Sequence, residues 1–477
     1  MSERSRGEIT LELEGKPVVV VGLARSGVAA ARFLASLGAH VVATDRKPAG
    51  ELEAEALTLA QRGIRLELGE HRPATFASAE LVVVSPGVPW QLPELAAARR
   101  AGVAVMAELE LGFRFLRGAV AAVTGTKGKS TTTAALGAML REAGRDVRVG
   151  GNIGDPLTGL LEGATDRTVY VLEVSSFQLE GTQSFRPNLA LFLNLSADHL
   201  DRHAGFEEYA AAKALVFQNQ QPSDWAVVNG DDPGVVALAR KGRARRVLFH
   251  AGAPGPGRGV SADETADAAY FEGGEARLRF EGRVETLFPL ASVSLPGAHL
   301  AGYLLAAACG ARLLGVPVEA LARAVAGFHG VAHVLERVAD VAGVRFFNDS
   351  KATNVAAARM SLEALDGPLV AILGGRYKGG DFGLLADVVR QRVKAVVAIG
   401  EARERVAESL APAAPVVRCD SLRDAVERAY ALCAPGDTVV LAPGCSSFDM
   451  FRDYAERGDA FKAEVRRLAQ REYGSGK

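Results

Sequence analysis

Six consecutive residues, Gly125-Thr126-Lys127-Gly128-Lys129-Ser130 in "AVTGTKGKSTTTAAL", set two glycines, two lysines and two hydroxyls between an apolar run and a helix-forming run. The glycines let backbone N–H groups approach an anion, and the following helix adds its positive end. Lys129 can offset charge on terminal phosphates, and Ser130 or Thr131 can face a magnesium ion. The loop is shorter than the standard phosphate-binding pattern, because Val123 stands where that pattern has its first glycine. The competing reading is a glycine-rich strand-to-helix turn.

Four further groups of residues could do chemistry. Gly22-Leu23-Ala24-Arg25-Ser26-Gly27 follows an apolar run, and Asp45 and Arg46 end the next one. Ala24 replaces the middle glycine of the dinucleotide fingerprint, which weakens a full dinucleotide site but leaves a nucleotide diphosphate at the helix N-terminus, with Asp45 or Arg46 near a base or ribose. A purely structural turn is the alternative. Glu173 and His199 follow two separate apolar runs; a carboxylate suits magnesium, whereas histidine is a less usual ligand for so hard an ion. Lys213 is the only charge in "YAAAKALVFQ", either a snorkelling lysine or one with a chemical role. "NDSKATN" (348–354) holds more polar groups than a helix cap by Thr353 or Asn354 requires. Arg376, Lys378, Ser446 and Ser447 lie in two later loops, and lysine with hydroxyls and amides is how a carboxylate is held.

The elements that must position these groups follow one rhythm: a short β-branched run, a glycine turn, then an Ala/Leu-rich helix. "KPVVVVGLARSGVAAARFLASLGAHVVATD" and "LVVVSPGVP" show it first, and such alternation implies parallel sheets covered on both faces. A first α/β domain spans 1–107, and a second spans 108–330. The second carries a β-rich addition, where "AAYFEGGEARLRFEGRVETLFPL" alternates like antiparallel strands. A third repeat of the rhythm spans 331–477. The fold class is therefore three consecutive α/β domains: Rossmann-like, phosphate-loop type and Rossmann-like. Ligands of open parallel sheets sit beyond the carboxyl ends of the strands, and those ends carry Ser85, Lys129, Glu173, His199, Asp349, Lys378 and Ser447.

Composition narrows the function. The 477 residues are 48% hydrophobic and 23% charged, with a net charge of -1, which argues against a general nucleic-acid binder. The basic run "KGRARR" (241–246) reads as a solvated face. Four cysteines show no metal spacing and read as reduced thiols. No apolar segment marks the N-terminus or reaches membrane-spanning length, so a soluble cytoplasmic protein is expected.

Taken together, "GNIG" (151–154), "LEVSSFQLE" (172–180), "DHLDRH" (198–203), "NDSKATN" and "CSSFDMF" (445–451) resemble the Mur ligases over nearly the whole chain. These are cytoplasmic, ATP-dependent enzymes of bacterial cell-wall precursor synthesis. The resemblance is greatest to the branch that adds D-glutamate to UDP-N-acetylmuramoyl-L-alanine through an acyl phosphate. It implies that Leu23, Ala24, Arg25, Ser26, Gly27, Asp45, Arg46, Ser85, Pro86 and Gly87 hold the UDP moiety, with Asn152, Ser175 and Gln178 near the muramoyl–alanine end. It places ATP on Gly125, Thr126, Lys127, Gly128, Lys129, Ser130, Thr131, His333, Asp349 and Lys351. Ser130, Thr131, Glu173, His199 and a carbamylated Lys213 would serve two Mg2+ ions. Thr353, Lys378, Ser446, Ser447 and Tyr454 would hold glutamate. Lys129, Glu173, His199, Lys213 and Lys351 form the implied catalytic set, in an expected monomer.

The chain departs from the family pattern at Lys127, Leu300, Tyr303 and Val334, all on the nucleotide side. Two other readings stay open at this point: the same chemistry with L-glutamate or another amino acid, or a UDP-sugar-binding protein without ligase activity.

Overall fold

The computed structural model describes residues 12–196, 202–252 and 267–474. Among them the chain forms three sheets. It divides into two compact units, Met1–Ser292 with Gly302–Gly327, and Val293–Ala301 with Phe328–Lys477.

The first sheet comprises β1 (Pro17–Val21), β2 (His40–Asp45), β3 (Arg65–Leu68), β4 (Leu81–Val84) and β5 (Ala104–Ala107), in the order β3-β2-β1-β4-β5. Every pairing is parallel. The run Val18–Val21 is wholly buried because helices cover both faces: Val18 and Val20 enter one core cluster, Val19 and Val21 another. The strand order reverses between β1 and β4, so the turns after these strands part and leave a crevice at their carboxyl ends.

The second sheet runs β14-β13-β12-β11-β10-β9-β6-β8-β7. Its strands are β6 (Ala119–Thr124), β7 (Val147–Gly151), β8 (Val169–Glu173), β9 (Leu189–Phe192), β10 (Trp225–Asn229), β11 (Arg245–His250), β12 (Ala268–Glu272), β13 (Glu275–Phe280) and β14 (Arg283–Pro289). Pairing is parallel as far as β12 and antiparallel from β12 to β14. The alternating stretch at 268–290 is therefore the expected antiparallel addition, continuous with the main sheet. β6 lies between β9 and β8, which sets the phosphate-type loop beside Glu173 on one side and Asn194 on the other.

The third sheet runs β15-β16-β20-β17-β18-β19. It comprises β15 (Glu336–Val341), β16 (Val344–Asn348), β17 (Leu369–Gly374), β18 (Val393–Ile399), β19 (Val416–Arg418) and β20 (Thr438–Leu441). Only the edge pair β15–β16 is antiparallel. Because β16, β20 and β17 are neighbours, the loops starting at Asp349, Ala442 and Gly375 leave the sheet side by side. No helix among the described residues is long and apolar enough to cross a membrane.

Candidate active site

A cleft of about 410 Å³ opens at the reversal point of the first sheet. Its wall includes Leu23, Ala24, Arg25 and Ser26 after β1, Asp45 and Arg46 at the end of β2, and Ser85, Pro86 and Gly87 after β4. Gly27 is buried behind this wall: a Cβ there would meet the Gly22 carbonyl oxygen at 1.8 Å, so the turn closes this tightly only around glycine. Ser85 donates its hydroxyl to the Gly22 carbonyl (2.7 Å). Asp45 accepts from the Leu23 amide on one oxygen and from the Lys47 amide on the other. Ser85 and Asp45, read from the sequence as ligand groups, thus also shape the turn. The far wall comes from the second sheet, through Gly151, Asn152, Gly154 and Gln178, and Arg25 reaches across to the Gly154 carbonyl (3.1 Å).

The loop after β6 is held from three sides. Gly125 and Gly128 have φ of 140° and 82°, the region that favours glycine, and Gly128 caps the helix Lys129–Glu142. Asn194 accepts from the Lys127 amide (2.8 Å) and donates to the Lys127 carbonyl (3.0 Å). Thr126 bonds Ser196 and the Tyr209 hydroxyl. Lys213 does not snorkel: it is 2% exposed and donates to the Gly125 carbonyl at 2.8 Å, with its ammonium 4.7 Å from the Tyr209 ring centroid. Tyr303, one of the departures, lies on the loop, where a Cβ at Gly128 would stand 2.3 Å from its ring. Burial pushes its phenol up to about 12.

A chain of hydrogen bonds joins the cleft to this loop. Asn152, on the cleft wall, donates to one Glu173 oxygen (2.8 Å), and Ser130 donates to the other (2.6 Å). Lys129 folds back onto the Thr126 carbonyl (3.0 Å), and Thr131 is buried one residue past Ser130. The donors gathered here are a carboxylate and hydroxyls, which fit a hard divalent cation. Ser175 and Gln178 form a capping box on the short helix Ser176–Leu179. His203 braces that helix through the Ser176 hydroxyl (3.0 Å) and a stacked Phe177. His199 lies outside the described residues.

In the second unit Asp349 accepts from the Leu335 amide and from the Ser361 hydroxyl, which pins the loop after β16. Asn354, not Thr353, caps the helix Val355–Ala364. His333, at φ 64°, bonds Asn348 (3.0 Å) and packs edge-on against Tyr454. Burial, then Lys462 beside it, lower its pKa from the usual 6.5. The Lys351 ammonium lies 5.8 Å from the Tyr454 ring, which groups Tyr454 with Lys351 and His333. Lys378 is exposed over Phe448 (4.9 Å), and Ser446 and Ser447 are buried in the loop after β20. Ser446 pairs with Arg376 through the backbone. Leu300 is 4% exposed and Val334 half-buried.

Sequence reasoning missed Arg457. It is 1% exposed, and its guanidinium donates to the Ser350 hydroxyl and carbonyl and to the Cys445 and Ser446 carbonyls. It therefore ties the loop after β16 to the loop after β20. In "YAERGDAF" it reads as one more surface charge of an amphipathic helix, so no sequence signal marked it. His71, on the cleft wall, was also missed.

Three stretches match family models in order: residues 16–107 the Mur ligase MurD-like N-terminal domain, 123–311 the Mur ligase middle domain, and 335–445 the Mur ligase glutamate ligase domain. The chain is 43% identical to the UDP-N-acetylmuramoylalanine–D-glutamate ligase of Acidobacterium capsulatum, over 95% of this chain and 96% of that one. It is also 43% identical to the enzyme of that name from Geobacter metallireducens, over 96% and 99% of the two chains. Among solved structures it resembles the UDP-N-acetylmuramate–alanine ligase MurC of Thermotoga maritima, with TM-score 0.59, 18% identity and coverage of 95% and 100%. It also resembles the MurF ligase of that organism in complex with ADP, with TM-score 0.57, 16% identity and coverage of 96% and 97%.

Proposed function

The chain belongs to the Mur ligase family, and from that premise we propose that it joins D-glutamate to UDP-N-acetylmuramoyl-L-alanine with ATP and Mg2+. The observation that carries this reading is 43% identity over 95% of the chain to a ligase of that specificity, together with the bonded path Asn152–Glu173–Ser130 from the cleft to the phosphate loop.

In this reading residues 1–107 hold the UDP moiety, 108–330 hold ATP and 331–477 hold the amino acid. The Leu23–Gly27 turn takes the diphosphate at the N-terminus of the helix Arg25–Ser36, and Arg46 adds a cation at the rim. Asn152, Ser175 and Gln178 steer the alanine carboxylate toward Ser130. That carboxylate attacks the γ-phosphorus of ATP, giving an acyl phosphate and ADP. The glutamate amine then attacks the acyl carbon and loses a proton, and the tetrahedral adduct expels phosphate. Catalysis is largely positioning and charge neutralisation.

Lys129 and the backbone amides of Gly125–Gly128 stabilise the phosphates, with Thr126 and Lys127 shaping the loop. Ser130, Thr131, Glu173, His199 and Lys213 would hold magnesium, two ions in this reading, with Lys213 carbamylated; bound there, the metal neutralises phosphate charge. His333, Asp349 and Lys351 contribute to the nucleotide. Thr353, Lys378, Ser446, Ser447 and Tyr454 bind glutamate. The protein is read as a cytoplasmic monomer.

The test is phosphate release from ATP and Mg2+ with UDP-N-acetylmuramoyl-L-alanine, and either D- or L-glutamate. Release that requires the nucleotide sugar and D-glutamate is expected. Release with L-glutamate alone overturns the stereochemistry, and no release despite binding of the nucleotide sugar overturns the ligase.

A further inference from the structure

Several polar side chains of the cleft bond to the backbone that forms it. Ser85 and Asp45 are engaged with the turn after β1, and Arg25 is turned to Gly154. Arg46 and Lys47 are exposed cations at the rim, and Arg46 lies 3.6 Å from a Glu94 oxygen.

His71 is different. It lines the cleft, whose wall also includes Pro89 and Leu92, and its ring packs edge-on against Phe76 at 5.8 Å. Its Nδ1 lies 3.0 Å from the Thr44 hydroxyl. Thr44 is 0% exposed, and Nδ1 is the one partner of its hydroxyl among the described residues. A buried hydroxyl proton with no acceptor is costly, so Thr44 donates and Nδ1 accepts. The ring proton then resides on Nε2, on the side away from Thr44. Burial, then Arg46, hold the imidazole below its usual pKa against the opposing pull of Glu94 and Asp45, so the ring is neutral at neutral pH. A neutral, fixed, single donor beside apolar wall residues matches a carbonyl oxygen on a flat neutral ring.

We propose that His71 is a specificity residue that donates its Nε2–H to a carbonyl oxygen of the uracil base. The assignment rests on the reading of this cleft as the UDP site.

The experiment compares wild type, His71→Asn and His71→Gln in the full chain. Asn keeps a polar partner for Thr44 but offers no donor at the Nε2 position; Gln reaches that position with an amide N–H. Calorimetry with UDP should show binding weakened about tenfold in His71→Asn, the worth of one hydrogen bond of about 1.4 kcal/mol, and largely recovered in His71→Gln. KM for the nucleotide sugar should rise in parallel, while kcat, KM for ATP and inhibition by pyrophosphate stay unchanged. Unchanged UDP binding in His71→Asn overturns the proposal. So does an equal loss of pyrophosphate inhibition, or a weakening that Gln does not restore. Wild type that fails to bind UDP overturns the parent reading and this proposal with it, a result separable from the mutant outcomes.

Discussion

Arg457→Met removes a guanidinium that joins two loops of the third sheet while nearly preserving volume. Four hydrogen bonds are lost, to the Ser350 hydroxyl and to the Ser350, Cys445 and Ser446 carbonyls. Bonds from a charged donor contribute about 1.5–3 kcal/mol each, and buried acceptors left without a donor cost about 1–3 kcal/mol. Against this, the mutant no longer buries a cation, and burial pushes the Arg457 pKa down to about 10 from 12.5, a relief of roughly 3 kcal/mol at 1.36 kcal/mol per pKa unit. Four bonds at the low end total about 6 kcal/mol, so a net loss of about 3 kcal/mol is expected. In a unit of this size that lowers the melting transition by roughly 6–12 °C. The loops it frees carry Lys351 and Thr353 on one side and Ser446 and Ser447 on the other, so KM for glutamate should rise at least tenfold. Binding of UDP, which the proposed function assigns to the cleft of the first unit, should not change. Calorimetric melting, glutamate saturation curves and titration calorimetry with UDP read the three quantities. An Arg457→Met protein that melts with wild type and keeps its glutamate KM would refute the idea that this buried cation organises the loops.

Gly128→Ala should lower ligase turnover more than a hundredfold at fixed ATP, since a Cβ must occupy φ 82° and meet the Tyr303 ring at 2.3 Å. Pairing it with Tyr303→Ala should restore part of the loss, because the steric conflict goes and the backbone strain remains; no restoration would discount the ring contact. For His333, whose folded pKa lies below 6.5, the unfolded chain binds the proton first as pH falls through 6.5. Its contribution to stability is therefore full above pH 6.5 and declines below it. His333→Asn, which tolerates the left-handed backbone, should flatten that decline in urea titrations between pH 7.5 and 5.5, and a slope identical to wild type would discard the assignment.

The strand–turn–helix rhythm, the phosphate-type loop and the polar ends of β6, β8 and β16 were legible because they depend on local periodicity and on residue types adjacent in sequence. Buried parallel strands such as Val18–Val21 must be continuously apolar, and a loop that approaches an anion must be glycine-rich. Edge strands were harder: β15 and β19 are short or half-exposed and leave little pattern. Lys213 was visible as an anomaly, a lone charge in an apolar helix, but only the fold brought it within 2.8 Å of the Gly125 carbonyl.

What the sequence by itself determined is the chemistry available at each strand end and, through family membership, the reaction. What the tertiary structure alone decided is which side chains are committed to one another. Asp45 and Ser85, read as ligand groups, also hold backbone amides and a carbonyl, and of the two cap candidates it is Asn354 that takes the helix end. Arg457 and His71 look like surface residues and are drawn inward. Such roles depend on partners tens of residues away, as with Arg457 and Ser350 at a separation of 107, and no local pattern encodes a contact that forms only when sheet neighbours distant in the chain pack together.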